Sequence, residues 1–231
     1  AGHAHFWRRA DGGDGGVESA VKNAPLGLFA LALAIRLSVI ALVRFDGLYG
    51  QDAFAYFEYA RQIFVTPFGA PLPGPFYWPL GYPALASLFF HLSGLAPIGA
   101  QMASVIAGAG VAPLTFLITS EVTGNQGTQG TKGNWAAVAA GLIAATSGQL
   151  LQSSIVIMAD AAGVFWAALA VYALLRAARG QPQGWPLLIC AAALALAVVT
   201  RWIFAALILP FGIFSFLSIR PFTSRRAFLI S

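Results

Sequence analysis

Charge is the scarcest thing in this sequence. Only 9% of its 231 residues are Asp, Glu, Lys or Arg, while 58% are hydrophobic. An ordinary soluble domain carries about 25% charged residues. So few charges cannot cover the surface of a chain this long, which excludes a water-soluble globule. Cysteine is nearly missing too. Cys190 stands alone inside an apolar run, so there is no disulfide framework and no Cys/His metal pattern. It reads as a small buried or lipid-facing residue. No Gly-rich phosphate loop, Ser/His/Asp order or zinc helix motif occurs. The basic stripe with interleaved aromatics of a nucleic-acid-binding protein is also missing. The excess of 13 basic over 8 acidic side chains therefore fits Lys and Arg retained on the cytoplasmic side of a membrane. Residues 1–24, with Asp11-Gly-Gly-Asp14-Gly-Gly, lack the basic-then-apolar order of a signal peptide. They read as a flexible cytoplasmic N-terminus.

What the sequence has is long apolar runs. A spanning helix needs about 20 mostly apolar residues. Runs of that kind cover residues 25–43, 95–120, 135–151, 154–175, 185–199 and 202–219. The expected fold is all-α: a polytopic transmembrane bundle over residues 25–231 with about six spans. Only Thr200 and Arg201 part the last two runs, which leaves open two spans or one bent helix. A cytoplasmic N-terminus puts Arg8, Arg9, Lys22, Lys132, Arg176, Arg179, Arg220, Arg225 and Arg226 inside. Arg44, Arg61 and Arg201 then fall outside, a positive-inside bias. The same topology puts Asp46, Asp52, Glu58, Asp160 and Arg201 on the outer face, where they can converge. A bacterial plasma membrane with the active face outward is the expected setting.

The first outer loop is more than a connection. Residues 52–63 have the pattern of an amphipathic helix, and Pro67, Pro71, Pro73, Pro75 and Pro79 then break the chain. Residues 81–95 are apolar but about 15 long, which suits an interfacial or re-entrant helix. Phe76, Tyr77, Trp78 and Tyr82 belong at a membrane–water boundary. Long loops of this kind are usually functional.

Asp52 leads the candidates for chemistry. It opens the loop helix, where the helix dipole favours a negative charge, and Tyr56 at i+4 shares its face while Glu58 does not. The alternative is that Asp52 only caps the helix. Asp160 lies at the head of an apolar run, where a carboxylate is either functional or a water-exposed cap. Arg201 can bind a phosphate in bidentate fashion or snorkel to the interface. Arg36, near the middle of the first run, pairs with a neighbouring helix or serves as an intramembrane charge. His91 reads as interfacial rather than as a metal ligand.

The order of these features resembles a known family. It runs from a basic N-terminus and one span to Asp52-x-x-x-Tyr56-x-x-x-Ala60. Trp78-Pro-Leu-Gly-Tyr-Pro83 then opens an apolar helix, Ser154 precedes Asp160 by six residues, and Leu-Ala-x-x-Thr200-Arg201 closes the series. This is similar to the N-terminal half of the GT-C superfamily of polytopic glycosyltransferases, in the protein O-mannosyltransferase and aminoarabinose-transferase-like branch. The resemblance implies transfer of a sugar from a polyprenyl-phosphate carrier to an acceptor on the outer face. It implies Asp52 as the base on the acceptor or as a holder of a divalent metal ion. Asp160 matches the second outer-loop acid, and Arg201 is the candidate for the carrier phosphate. Tyr56, Glu58 and Trp78 are the further candidates for substrate contact. Relatives often carry Asp-Glu where this chain has Asp52-Ala53, and they have more spans. Either the chain continues past Ser231 or it is a shortened member. The competing readings are a non-catalytic subunit of a larger membrane complex on the same fold, and a transporter using Asp160 and Arg36.

Overall fold

A computed structural model describes residues 14–67, 69–71, 74, 77–123, 132–179 and 184–218. Arg8, Arg9, Pro73, Pro75, Phe76, Arg220, Arg225 and Arg226, and residues 124–131, lie outside the described residues. Every regular element among the described residues is helical. The first is α1 (Asp14–Val43), followed by α2 (Gly50–Val65), α3 (Gly81–Ser93) and α4 (Pro97–Val122). Next come α5 (Lys132–Thr146), α6 (Gly148–Ile155), α7 (Ala159–Ala178) and α8 (Trp185–Thr200). A 3₁₀ turn, Trp202–Leu207, leads into α9 (Ile208–Ser218).

Among the described residues, three helices are long and apolar enough to cross a bilayer unaided: Asn23–Val43 within α1, all of α4, and all of α7. The 21 residues of the first reach about 31 Å at 1.5 Å per residue, the thickness of a hydrocarbon core. The remaining apolar helices, Trp135–Thr146, Trp185–Thr200 and Trp202–Ser218, are shorter. Their exposed Leu188, Ile203, Leu209, Phe216 and Leu217 form a surface that only lipid or further protein can cover. The chain is an integral membrane helical bundle, as its hydropathy predicts.

At the centre is α4, packed against α1, α3, α5, α6 and α7. Its buried face runs through Gly99, Ala100, Ala103, Ser104, Ala107 and Gly108. Lipid is as apolar as Leu, so hydrophobicity alone does not join helices in a bilayer. Small residues let backbones come close enough for dispersion to do so. α1 ends with Arg44 in the left-handed region at φ 54°, where glycine is usual. Phe45 N–H then donates back to Ile40 O at 3.3 Å, which closes the helix end.

One boundary differs from the hydropathy, and one open alternative is resolved. The run 135–151 is not one helix. It breaks at Ser147, whose Oγ caps α6 by accepting from Leu150 N–H at 3.5 Å. The break between the last two runs is also real: Arg201 is extended, at φ −154° and ψ 118°, so one bent helix is ruled out.

Arg36 is fully buried within α1. Its Nη1 donates to Ala32 O at 2.9 Å and to Ala145 O of α5 at 3.3 Å. It does pair with a neighbouring helix, through a carbonyl near that helix's C-terminal, negative end. Arg36→Ala should destabilise the bundle by about 2–4 kcal/mol, because it leaves a void and strips a buried carbonyl. Arg36→Met, which fills the space, should stay within about 1 kcal/mol of the parent. Thermal unfolding in detergent separates the two; equal losses would show that the charge itself is required.

Candidate functional site

The chain is unwound between α6 and α7, at Val156, Ile157 and Met158. Backbone polar groups there must find partners, since neither helix supplies them. Two buried side chains of α4 serve the two ends of this break. Gln101 Nε2 donates to Ile155 O at 2.7 Å and to Phe45 O at 3.3 Å. Ser104 Oγ donates to Met158 O at 3.1 Å and accepts from Met158 N–H at 3.4 Å. Ile157 N–H donates to Gly47 O at 2.9 Å. Gly47 is a required glycine. Its φ is +87°, and a Cβ there would lie 2.8 Å from Ile157 Cγ1. One side chain therefore ties the segment leading to Asp160 to the loop leading to Asp52.

Tyr82 of α3 joins the same network. Fully buried, its hydroxyl donates to Ala100 O at 3.1 Å and lies 2.7 Å from Ser104 Oγ. Its ring meets Tyr56 of α2 edge to face at 5.2 Å, and Tyr56 in turn lies 6.4 Å from Trp78. Tyr77 continues the aromatic run, 5.0 Å from Trp78 and 6.5 Å from Trp202. The start of α3 is fastened to the end of α8 by Gly81. A Cβ at that position would lie 2.5 Å from Val199 O and 2.8 Å from Thr200 N, so no other residue fits without moving the backbone that precedes Arg201.

Arg201 forms an ion pair with Asp160. Asp160 is the second residue of α7, whose N-cap is Met158 with no side-chain cap bond. Asp52 is the third residue of α2, whose N-cap is Tyr49, again without a side-chain bond. Neither carboxylate is the capping residue of its helix. Both still sit in the first turn of their helices, the end whose dipole attracts negative charge. Burial pushes the Tyr56 phenol up to about 12; the Arg201 guanidinium opposes this and the Asp52 carboxylate adds to it. Tyr56 thus feels both charges. Burial also raises the Tyr82 phenol, against its hydrogen bond with Ser104.

The other charges expected on the outer face lie apart. Glu58 is exposed and bonds along its own helix, to Arg61 at 3.0 Å and Gln62 at 3.4 Å. Asp46 Oδ1 accepts from Leu48 N–H at 3.0 Å, which shapes the loop. His91 is exposed against the Phe64 ring at 4.9 Å, and Cys190 is buried in α8. Among the described residues no three His, Cys, Asp or Glu side chains come together. Asp52 is followed by Ala53, which is fully buried, so the next position adds no second carboxylate beside it. Gln101 and Ser104 carry the architecture of the site but escape sequence reading, because a polar residue in an apolar helix does not reveal which carbonyl it meets. Their spacing of three, which puts them on one face, was the available signal.

The model of one family, described as dolichyl-phosphate-mannose-protein mannosyltransferase, matches residues 26–230. No curated protein and no solved structure was found to match.

Gln101→Leu should cost about 2 kcal/mol, by leaving the carbonyls of Ile155 and Phe45 without their donor. Hydrogen exchange should rise at Ile157 and around Gly47; unchanged exchange there would show that the two loops hold without it. A second expectation concerns alkaline pH. The folded state holds the Tyr56 proton more tightly than the ordinary 10.0 allows. Stability is then complete below about pH 10 and falls as pH rises toward about 12. Tyr56→Phe should flatten part of that fall, with Tyr82 supplying the rest; an unaltered pH–stability curve would count against the perturbed phenol.

Proposed function

Because the chain belongs to the dolichyl-phosphate-mannose-protein mannosyltransferase family over residues 26–230, a family of membrane glycosyltransferases, we propose that it moves a sugar from a polyprenyl-phosphate carrier to an acceptor hydroxyl on the outer face of the membrane. The observation that carries this reading is the Asp160–Arg201 ion pair, set beside a tyrosine that feels both Arg201 and Asp52. It provides a fixed cation near a carboxylate, which a transfer from a phosphate leaving group requires.

In this reading Asp52 takes the proton of the acceptor hydroxyl as that oxygen attacks the anomeric carbon. The new oxygen–carbon bond forms as the bond from carbon to the carrier phosphate breaks, and the electron pair leaves with the phosphate. Attack opposite the leaving group inverts the anomeric centre. Arg201 stabilises the departing phosphate. A guanidinium has five N–H donors, so the pair with Asp160 orients the group and leaves donors for phosphate. Tyr56 and Trp78 give an aromatic wall for the sugar or carrier. Glu58, engaged with Arg61 on the exposed side of α2, contributes at most from the rim. The N-terminus is cytoplasmic in this topology. The second reading, a non-catalytic subunit of the same fold, rests on Ala53 occupying the position where relatives carry a second acid.

The test is transfer of radiolabelled mannose from polyprenyl-phosphate-mannose to protein, in membranes containing the chain. Asp52→Asn should reduce the rate by about 10²–10⁴-fold, the range for loss of a general base, with the helical content unchanged. A variant within a few-fold of the parent would remove Asp52 from the role. A parent chain that transfers nothing while binding its partners would support the non-catalytic reading.

A further inference from the structure

At the far end of α7 from Asp160 lies a second cluster of charge. Glu121, at the end of α4, is buried and faces two arginines of α7 and its C-terminus. Arg176 Nη1 donates to Glu121 Oε1 at 3.1 Å. Arg179 Nε lies 3.0 Å from Oε2, close enough for an ion pair though not aligned as a hydrogen bond, and its Nη2 donates to the Glu121 carbonyl. One carboxylate against two guanidinium groups leaves a positive charge over. Arg176 uses one of its five donors on Glu121, and its side chain is 36% exposed.

That exposed part borders a cleft of ≈ 200 Å³ between α7 and α8, lined by Leu169, Tyr172, Ala173, Arg176, Trp185 and Ile189. The walls along the helices are apolar. The mouth holds the guanidinium, a tyrosine and an exposed tryptophan, the combination that marks a membrane–water boundary. Sixteen residues separate Asp160 from Arg176 on one helix, about 24 Å at 1.5 Å per residue. The cleft therefore opens on the opposite leaflet from the Asp160–Arg201 pair.

We propose that this cleft binds one acidic phospholipid, with its phosphate on Arg176 and an acyl chain laid between α7 and α8. Charge decides the occupant. An apolar helix of another protein satisfies the walls but leaves the net positive charge of the cluster uncompensated, and a zwitterionic lipid brings a cation of its own beside it. Arg176 binds a phosphate through paired N–H donors. Its hold on Glu121 fixes the guanidinium before the lipid arrives, which lowers the ordering cost of binding.

The experiment is native mass spectrometry of the purified full chain, titrated with phosphatidylglycerol or phosphatidylcholine. One phosphatidylglycerol should be retained, preferred by about fivefold, the ratio expected for one basic side chain against an anionic headgroup. Arg176→Ala should abolish that preference. Ile189→Trp, which fills the cleft and leaves the Arg176–Glu121 pair intact, should abolish it too, and this variant decides alone if Arg176→Ala fails to fold. Arg61→Ala, at the other end of the molecule, should keep the preference. Equal retention of the two lipids overturns the proposal. So does loss in only one of two folded cleft variants, an equal loss in Arg61→Ala, or a dimer of the chain that Ile189→Trp dissolves.

Discussion

A backbone that leaves the helix inside a membrane protein must be hydrogen-bonded by something else. The bilayer supplies no water to do it. Here the break before α7 is held by Gln101 and Ser104, two side chains of the most central helix. The rest of that end of the bundle follows. The bonded segment sets where α7 starts, which places Asp160. The shared bond to Phe45 sets where the loop after α1 turns, which leads to Asp52. The Tyr82–Ser104 contact brings α3 and its aromatic neighbours onto the same support. Three separate parts of the sequence thus share one scaffold on α4.

Electrostatics then divide the molecule by its ends. At one end, Asp160 and Arg201 neutralise each other while Asp52 sits in a helix first turn. At the other end two arginines outnumber the single Glu121. In water such half-exposed pairs contribute about 1 kcal/mol or less each, so their value is orientation rather than stability. Arg36, wholly buried between them along the bundle, is the contrasting case. It bonds to carbonyls rather than to a carboxylate, so the middle of the membrane holds no ion pair at that helix.

Hydropathy was enough to read the bundle, because lipid demands long apolar runs and tolerates few exceptions. The first, second and fourth runs correspond to α1, α4 and α7. The break at Ser147 was legible only as a Ser-Gly pair inside an apolar stretch, and length outweighed it. Arg201 and Asp160 were legible as rare charges at run ends, but their pairing was not, since 41 residues of sequence separate partners that folding brings together. Glu121 was overlooked for the opposite reason: it lies at a helix end where a charge is ordinary, and only the two arginines around it give it meaning. Glu58 shows how outer-face location misleads, because its partner is three residues away on its own helix.

Gly81 has a mechanical consequence. With no side chain between them, the α3 backbone lies directly on that of α8, just before the chain unwinds at Arg201. Side-chain contacts can be retuned by repacking, but direct backbone contact has no such slack. The separation of α3 from the residues just before Arg201 is therefore set by main chain alone, and any side chain at position 81 would force the two apart however the surrounding side chains repacked.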